Sequence, residues 1–149
     1  MILHIRPSIV PVPAMTPAAI DRFCLSLRAA ARIVQWEDVI VFKVGGKMFA
    51  MLPHNGDGRR RELWFKADDA YYDTMKTAPG FRPCPYLARA RWVAMADPGK
   101  MPAEQLKAYI RRAHAVIAAR LPRKTQLALG FEPPPRPLRL KRPVFEHRP

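Results

Sequence analysis

Apolar residues along the chain recur with a period that changes at recognisable stops. Thr16 is placed to cap a first helical turn and Pro17 suits the first helical position. Ile20, Phe23, Cys24, Leu27, Ala30 and Ala31 then follow at spacings of mostly three and four, opposite Asp21, Arg22 and Arg28, which predicts a helix over 17–31. The period next shortens to two. "EDVIVFKVGGKMFAML" holds two β-rich runs on either side of Gly45-Gly46, the residues best able to take the positive φ angles of a tight hairpin turn. Pairing Val44 with Lys47 puts Ile40, Phe42, Val44, Lys47, Phe49 and Met51 on one face. Val39, Val41, Lys43, Met48, Ala50 and Leu52 fall on the other. Both faces are largely apolar, and Lys43 and Lys47 lie at the tip on opposite sides.

"PHNGDGRRR" is a loop by its Asn-Gly and Asp-Gly pairs and ends in Arg59, Arg60 and Arg61. A strand follows near 62–66, then a short helix in "ADDAYYDTMKTAPG", with Asp68 and Asp69 in its first turn, where the helix dipole favours them. In "GFRPCPYLARARWVAM" the prolines hold the first half extended. The second half alternates, with Ala88, Ala90, Trp92, Ala94 and Ala96 on one face and Arg89, Arg91, Val93 and Met95 on the other. That pattern predicts a half-buried strand with Trp92 in the core and Arg89 and Arg91 outward. After Pro102, Leu106, Ile110, Ala113, Ile117 and Leu121 define the apolar stripe of a last helix, with His114 beside it as a packing residue. The order of elements implies a single compact α+β domain over 16–121 with a mainly antiparallel sheet.

Both ends differ from this middle. Residues 1–15 contain Pro7, Pro11 and Pro13 and read as an irregular N-terminal extension. Residues 122–149 form a proline-rich basic tail, expected to be extended or disordered, whose prolines forbid a continuous helix. The tail carries +5 of the formal net charge of +14, so the rest of the chain is strongly basic without it. Such a surface attracts polyanions, nucleic acid first among them.

The chemistry of catalysis and metal binding is not written in the sequence. Cys24 and Cys84 make no paired-thiol motif, and the four histidines are scattered singly, so neither a structural metal nor a cofactor is expected. "VGGK" lacks the spacing of a phosphate loop and joins two strands. Ser8 and Ser26 have no nucleophile-elbow context. No stretch has the apolar length of a membrane span, and a soluble, cytoplasmic, non-enzymatic protein is expected.

"VFKVGGKMFAML" at 41–52, "GFRPCPYLARARWVAM" at 80–95 and a final amphipathic helix ending "AARLPRK" together resemble the MmcQ/YjbR family, over roughly residues 16–124. The pattern is matched at Phe42, Lys43, Gly46, Lys47 and Phe49, then at Pro83, Tyr86 and Trp92. The resemblance implies a compact α+β fold likened to a double-winged DNA-binding architecture, and DNA binding as the function. Lys43, Lys47 and Tyr86 are the matched positions suited to contact a ligand. The expected nucleic-acid contacts are thus Lys43, Lys47, Arg59, Arg60, Arg61, Arg82, Tyr86, Arg89 and Arg91, meeting mainly phosphates of duplex DNA with little sequence specificity. The alternative is a protein-interaction or small-ligand module without nucleic-acid function, using an apolar groove near Tyr86. A protein partner would then meet the hairpin or the proline-rich tail.

Overall fold

The computed structural model describes residues 14–54, 60 and 62–133. Six antiparallel strands form one sheet in the order β1-β2-β3-β4-β6-β5, so the α+β expectation holds. Helix α1 spans Pro17–Ser26, with the Thr16 hydroxyl accepting from the Ala19 amide at 3.1 Å. It stops well short of 31. Leu27 is extended and Ala29 takes a φ of 57°, after which Ala30–Gln35 forms β1 and pairs along β2 (Val39–Val44). Alanines at 30 and 31 favour a helix locally, but the outer edge of β2 offers backbone hydrogen bonds that would otherwise go unmade.

The hairpin of β2 and β3 (Lys47–Leu52) turns at Gly45 and Gly46, with φ of 57° and 79°. Val44 faces Lys47 as expected, but the ladder slips one residue further on. Phe42 lies opposite Ala50 while Lys43 lies opposite Met48, which leaves Phe49 as the extra residue of a bulge. Phe49 and Ala50 therefore both enter the core beside Phe42, Leu52 joins them, and Met51 crosses to the opposite face with Val41. Strand β4 is Leu63–Lys66 and short helix α2 is Tyr72–Met75.

The strand expected over 88–96 shrinks to β6 (Trp92–Met95), paired with β4 and with the edge strand β5 (Phe81–Pro83). Residues 84–91 fold as successive turns, with Tyr86 and Arg91 in the left-handed region at φ 66° and 60°. Arg89 and Arg91 are accordingly not the outward half of a strand.

Helix α3 (Ala103–Ala119) covers one face of the sheet together with α1. Phe42, Phe49, Phe65, Leu106 and Ile110 are fully buried there, each side chain worth about 1.5–3 kcal/mol relative to exposure. Met15, assigned to the irregular extension, belongs to this core, and Ala14 bridges Pro102. The tail also begins later than 122. Arg123–Ala128 forms α4, where an extended chain was expected, because Gln126 is buried and its amide nitrogen lies 3.0 Å from the carbonyl oxygens of Ala118, Ala119 and Leu121, closing the end of α3. Phe131 then stacks on His114, whose Nε2 donates to the Arg28 carbonyl at 2.8 Å.

Among the described residues, no helix packs on the second face of the sheet. Val41, Met51, Trp92 and Ala94 form a smaller core under Cys84 and Leu87 of the 84–91 turns. Trp92 is buried, as read, but in this smaller cluster. The turns cover only part of the face.

Candidate nucleic-acid interface

The glycine turn carries the hairpin tip to the C-terminal end of α3. A Cβ built on Gly45 would lie 2.6 Å from a methyl carbon of Leu121, so the tip is seated against that helix end. Lys47, Leu87, Ala90, Ile117, Arg120 and Leu121 line one cleft of about 340 Å³ at this junction. Ala90 sits between Arg89 and Arg91, and Lys43 stands across the ladder from Met48, another wall of the cleft. Lys47 and Arg120 thus line this cleft, Arg91 meets Arg120 at Asp69, and Lys43 and Arg89 neighbour the lining residues Met48 and Ala90. Lys43, Lys47 and Arg89 make no ion pair among the described residues.

Arg91 and Arg120 share a carboxylate. Asp69 accepts from Lys66 Nζ at 2.8 Å and from Arg120, with Arg91 3.5 Å away, while Asp68 binds Arg112 and the Ala70 amide. Lys66 is 1% exposed, at the end of β4. Burial lowers its pKa, although its hydrogen bond to Asp69 opposes that shift. The hydrogen bond from Lys66 holds the Asp69 carboxyl below its ordinary range. The backbone amide of Ala70, then Arg112, does the same for Asp68. Neither aspartate lies inside α2. They precede it and tie the sheet to α3, which is a larger role than favouring a helix dipole. The cavity of about 700 Å³ beside them, between α2 and α3, has Lys66, Asp68 and Arg112 in its wall, each already engaged in an ion pair.

The remaining expected contacts lie elsewhere. Arg60 donates to the Leu52 carbonyl at 3.0 Å and pairs with Asp38 at 2.7 Å, at the end of β3 roughly 17 Å from Lys47. Arg82 pairs with Glu62 at 2.8 Å. Both are structural ties, held by carboxylates, and do not join the cluster. Arg59 and Arg61 lie outside the described residues. Tyr86 is fully exposed at the rim of a different, apolar pocket of about 500 Å³ on the second sheet face, with Trp36 and Trp64.

Arg120 and Trp36 were not singled out from the sequence, and Asp69 was read there only as favouring a helix dipole. Arg120 was legible only as a cation off the α3 stripe, and nothing local marks Asp69 as a hub. Trp36 sits in a turn whose residues Trp36, Glu37 and Asp38 all have positive φ (46°, 55° and 80°) without a glycine, an arrangement no turn rule signals. The two thiols are no part of the site. Burial raises the pKa of both, that of Cys84 to about 12. Among the described residues no helix is long and apolar enough to cross a membrane.

The YjbR family model matches residues 25–116. Among solved structures, the chain is similar to Deinococcus radiodurans protein DR2400, with family-model domain DUF419, at a TM-score of 0.69 and 23% identity, covering 80% of this chain and 91% of that one. It is also similar to a Pseudomonas syringae protein, structural genomics target PsR293, at a TM-score of 0.55 and 16% identity, covering 69% of this chain and 99% of that one. No curated protein matches.

Proposed function

We propose that this chain, which belongs to the YjbR family, is a nucleic-acid-binding protein that grips phosphates at the hairpin-tip end of its sheet. The observation that carries this reading is a cleft lined by Lys47 and Arg120, with Lys43, Arg89 and Arg91 beside its lining residues and the carboxylate of Asp69 shared by Arg91 and Arg120. Contacts of that kind neutralise phosphates and release counterions, so they give affinity that tolerates sequence and falls steeply with salt.

The test is fluorescence anisotropy with a labelled duplex over a series of salt concentrations. Four cations each meeting a phosphate give a slope of log K against log salt near −3.6. The combined Lys43, Lys47, Arg89 and Arg91 to alanine variant should lose most of that slope, while a chain ending at Pro133 should keep it. Equal binding by the alanine variant, or binding that disappears with the tail alone, would sink the tip as the site.

A second reading has one observation in its favour. The apolar pocket beside Tyr86 is what a protein-interaction or small-ligand module requires, and that reading stands if duplex and single strands alike fail to bind at physiological salt.

A further inference from the structure

The pocket on the second sheet face is walled by Trp36, Val39, Met48, Trp64, Tyr86 and Leu87, together with His54. Its aromatics are held out on purpose-built backbone. Trp36 is 61% exposed and Tyr86 100% exposed, and both occupy left-handed conformations that strain a non-glycine residue. The turn bearing Trp36 is braced from outside by Arg60, which joins Asp38 to the end of β3. Trp64 is fixed by its indole N–H donating to Glu62 at 2.8 Å. Large rings kept in water by strained, braced backbone mark a surface with a partner.

The pocket's neighbour identifies that partner. Met48 and Leu87 line both this pocket and the cationic cleft, so the two are adjacent compartments sharing a wall. No carboxylate is among the described residues lining the pocket; of the acids beside it in sequence, Asp38 and Glu62 are engaged by Arg60 and Arg82, and Glu37, next to Trp36, is exposed. A ligand filling both compartments must present flat apolar rings at one end and negative charge at the other. Single-stranded nucleic acid does this, because its unpaired bases can turn out to stack on aromatic side chains while its backbone follows the cations. A duplex has its bases stacked inside and can use only the cationic half.

We infer that the aromatic pocket receives an unpaired nucleobase, and that the protein prefers single-stranded nucleic acid to duplex. This rests on the phosphate-binding reading above and adds to it the form of the nucleic acid. Stacking tolerates every base, so the preference is for strandedness and not for sequence.

The test measures anisotropy of the full chain with a labelled oligothymidylate and with a duplex of equal length at one salt concentration. It compares the parent with a Trp36→Ala, Tyr86→Ala double variant. Both side chains project into solvent, so the variant should keep its melting temperature; Tyr86→Ala alone and quenching of the parent's tryptophan fluorescence supply the same comparison if it does not. The expected result is single-strand binding at least about tenfold tighter than duplex binding in the parent. The double variant should lose about tenfold on the single strand, nothing on the duplex, and none of the salt slope. Single-strand binding that survives in the variants without tryptophan quenching overturns this inference and leaves the phosphate reading standing. Failure of both oligonucleotides to bind the parent overturns both.

Discussion

Replacing Asp69 with asparagine should weaken the fold and strengthen nucleic-acid binding, two effects of opposite direction from one lost charge. The stability loss comes from Lys66, which is 1% exposed and has its ammonium 2.8 Å from the Asp69 carboxylate. Removing one partner of a buried ion pair costs on the order of 3–5 kcal/mol, because the other charge is left unpaired. Asp69 itself is 38% exposed, and asparagine keeps a carbonyl acceptor toward Lys66, so solvent screening brings the loss to about 2 kcal/mol. For a folded unit of this size that is a drop in melting temperature of about 8 °C. The gain in binding comes from Arg91 and Arg120, which no longer share a carboxylate beside the cleft. Arg91 is already among the four cations counted, so Arg120 adds one contact and steepens the salt slope by about 0.9, from about −3.6 toward −4.5.

Thermal unfolding followed by circular dichroism measures the first effect, and anisotropy across salt concentrations the second. Asp73→Asn is the control, since Asp73 pairs with Lys76 on an exposed surface and its loss should leave the melting temperature in place. The pH dependence has a definite sign. The Asp69 carboxyl is held below its ordinary value of 3.8, so its stabilisation is present above that pH and is lost as pH falls through the lower folded value. The parent's advantage over the variant should therefore close in acid. An unchanged melting temperature at neutral pH would refute the buried pair. Weaker binding by a still-folded variant would refute the competition between Asp69 and phosphate.

Two further expectations rest on the helix side of the sheet. Gln126→Ala removes the side chain that reaches three carbonyls at the end of α3, and should cost about 1–3 kcal/mol by urea unfolding, with faster hydrogen exchange confined first to α4. His114 is buried and its pKa is lowered by desolvation, against a smaller opposing effect of its bond to the Arg28 carbonyl. Between its folded pKa and the ordinary value of 6.5 the unfolded chain takes up a proton that the native state refuses, so stability should fall as pH drops through that window. In His114→Asn, urea midpoints at pH 7.5 and 5.5 should differ less than they do in the parent.

What was legible in the sequence was what local rules govern. The Thr16-Pro17 start of α1, the Gly45-Gly46 turn and the stripe of α3 all stand where spacing put them, because each depends on residues within a turn or two of one another. What failed depended on a partner outside the segment itself. Ala30 and Ala31 became strand because β2 had an open edge, and α4 formed because Gln126 reached the end of α3. The bulge at Phe49 reversed the faces of three residues, a change no alternation pattern can foresee, since each face was apolar. Lys66 is a charged residue in the strand expected near 62–66, and its burial became intelligible only when Asp69, Arg91 and Arg120 met around it. Among the candidate contacts, a cation looks alike in sequence whether a carboxylate waits for it or not. Arg60 and Arg82 were claimed by Asp38 and Glu62, while Lys43, Lys47 and Arg89 meet no carboxylate among the described residues.

That division follows from the two faces of the sheet. The helix side is closed by α1 and α3, and apart from Lys66 its largest buried side chains are apolar, so it serves to stabilise. Among the described residues the other side has the 84–91 turns as cover, and Pro85 with the left-handed Tyr86 and Arg91 keeps those turns from becoming a seventh strand or a helix. The partial cover leaves Trp36, Trp64 and Tyr86 around an open pocket, while its far end, with Arg89 and Arg91, meets the hairpin tip and α3. One segment therefore sets both the aromatic compartment and the cationic one, and their separation is fixed by Leu87, which is anchored beneath by Cys84 and Trp92. If the two compartments act on one ligand, enlarging this loop should uncouple them: cation-dependent binding would survive while the contribution of the aromatics vanished, even with every contacting side chain still present.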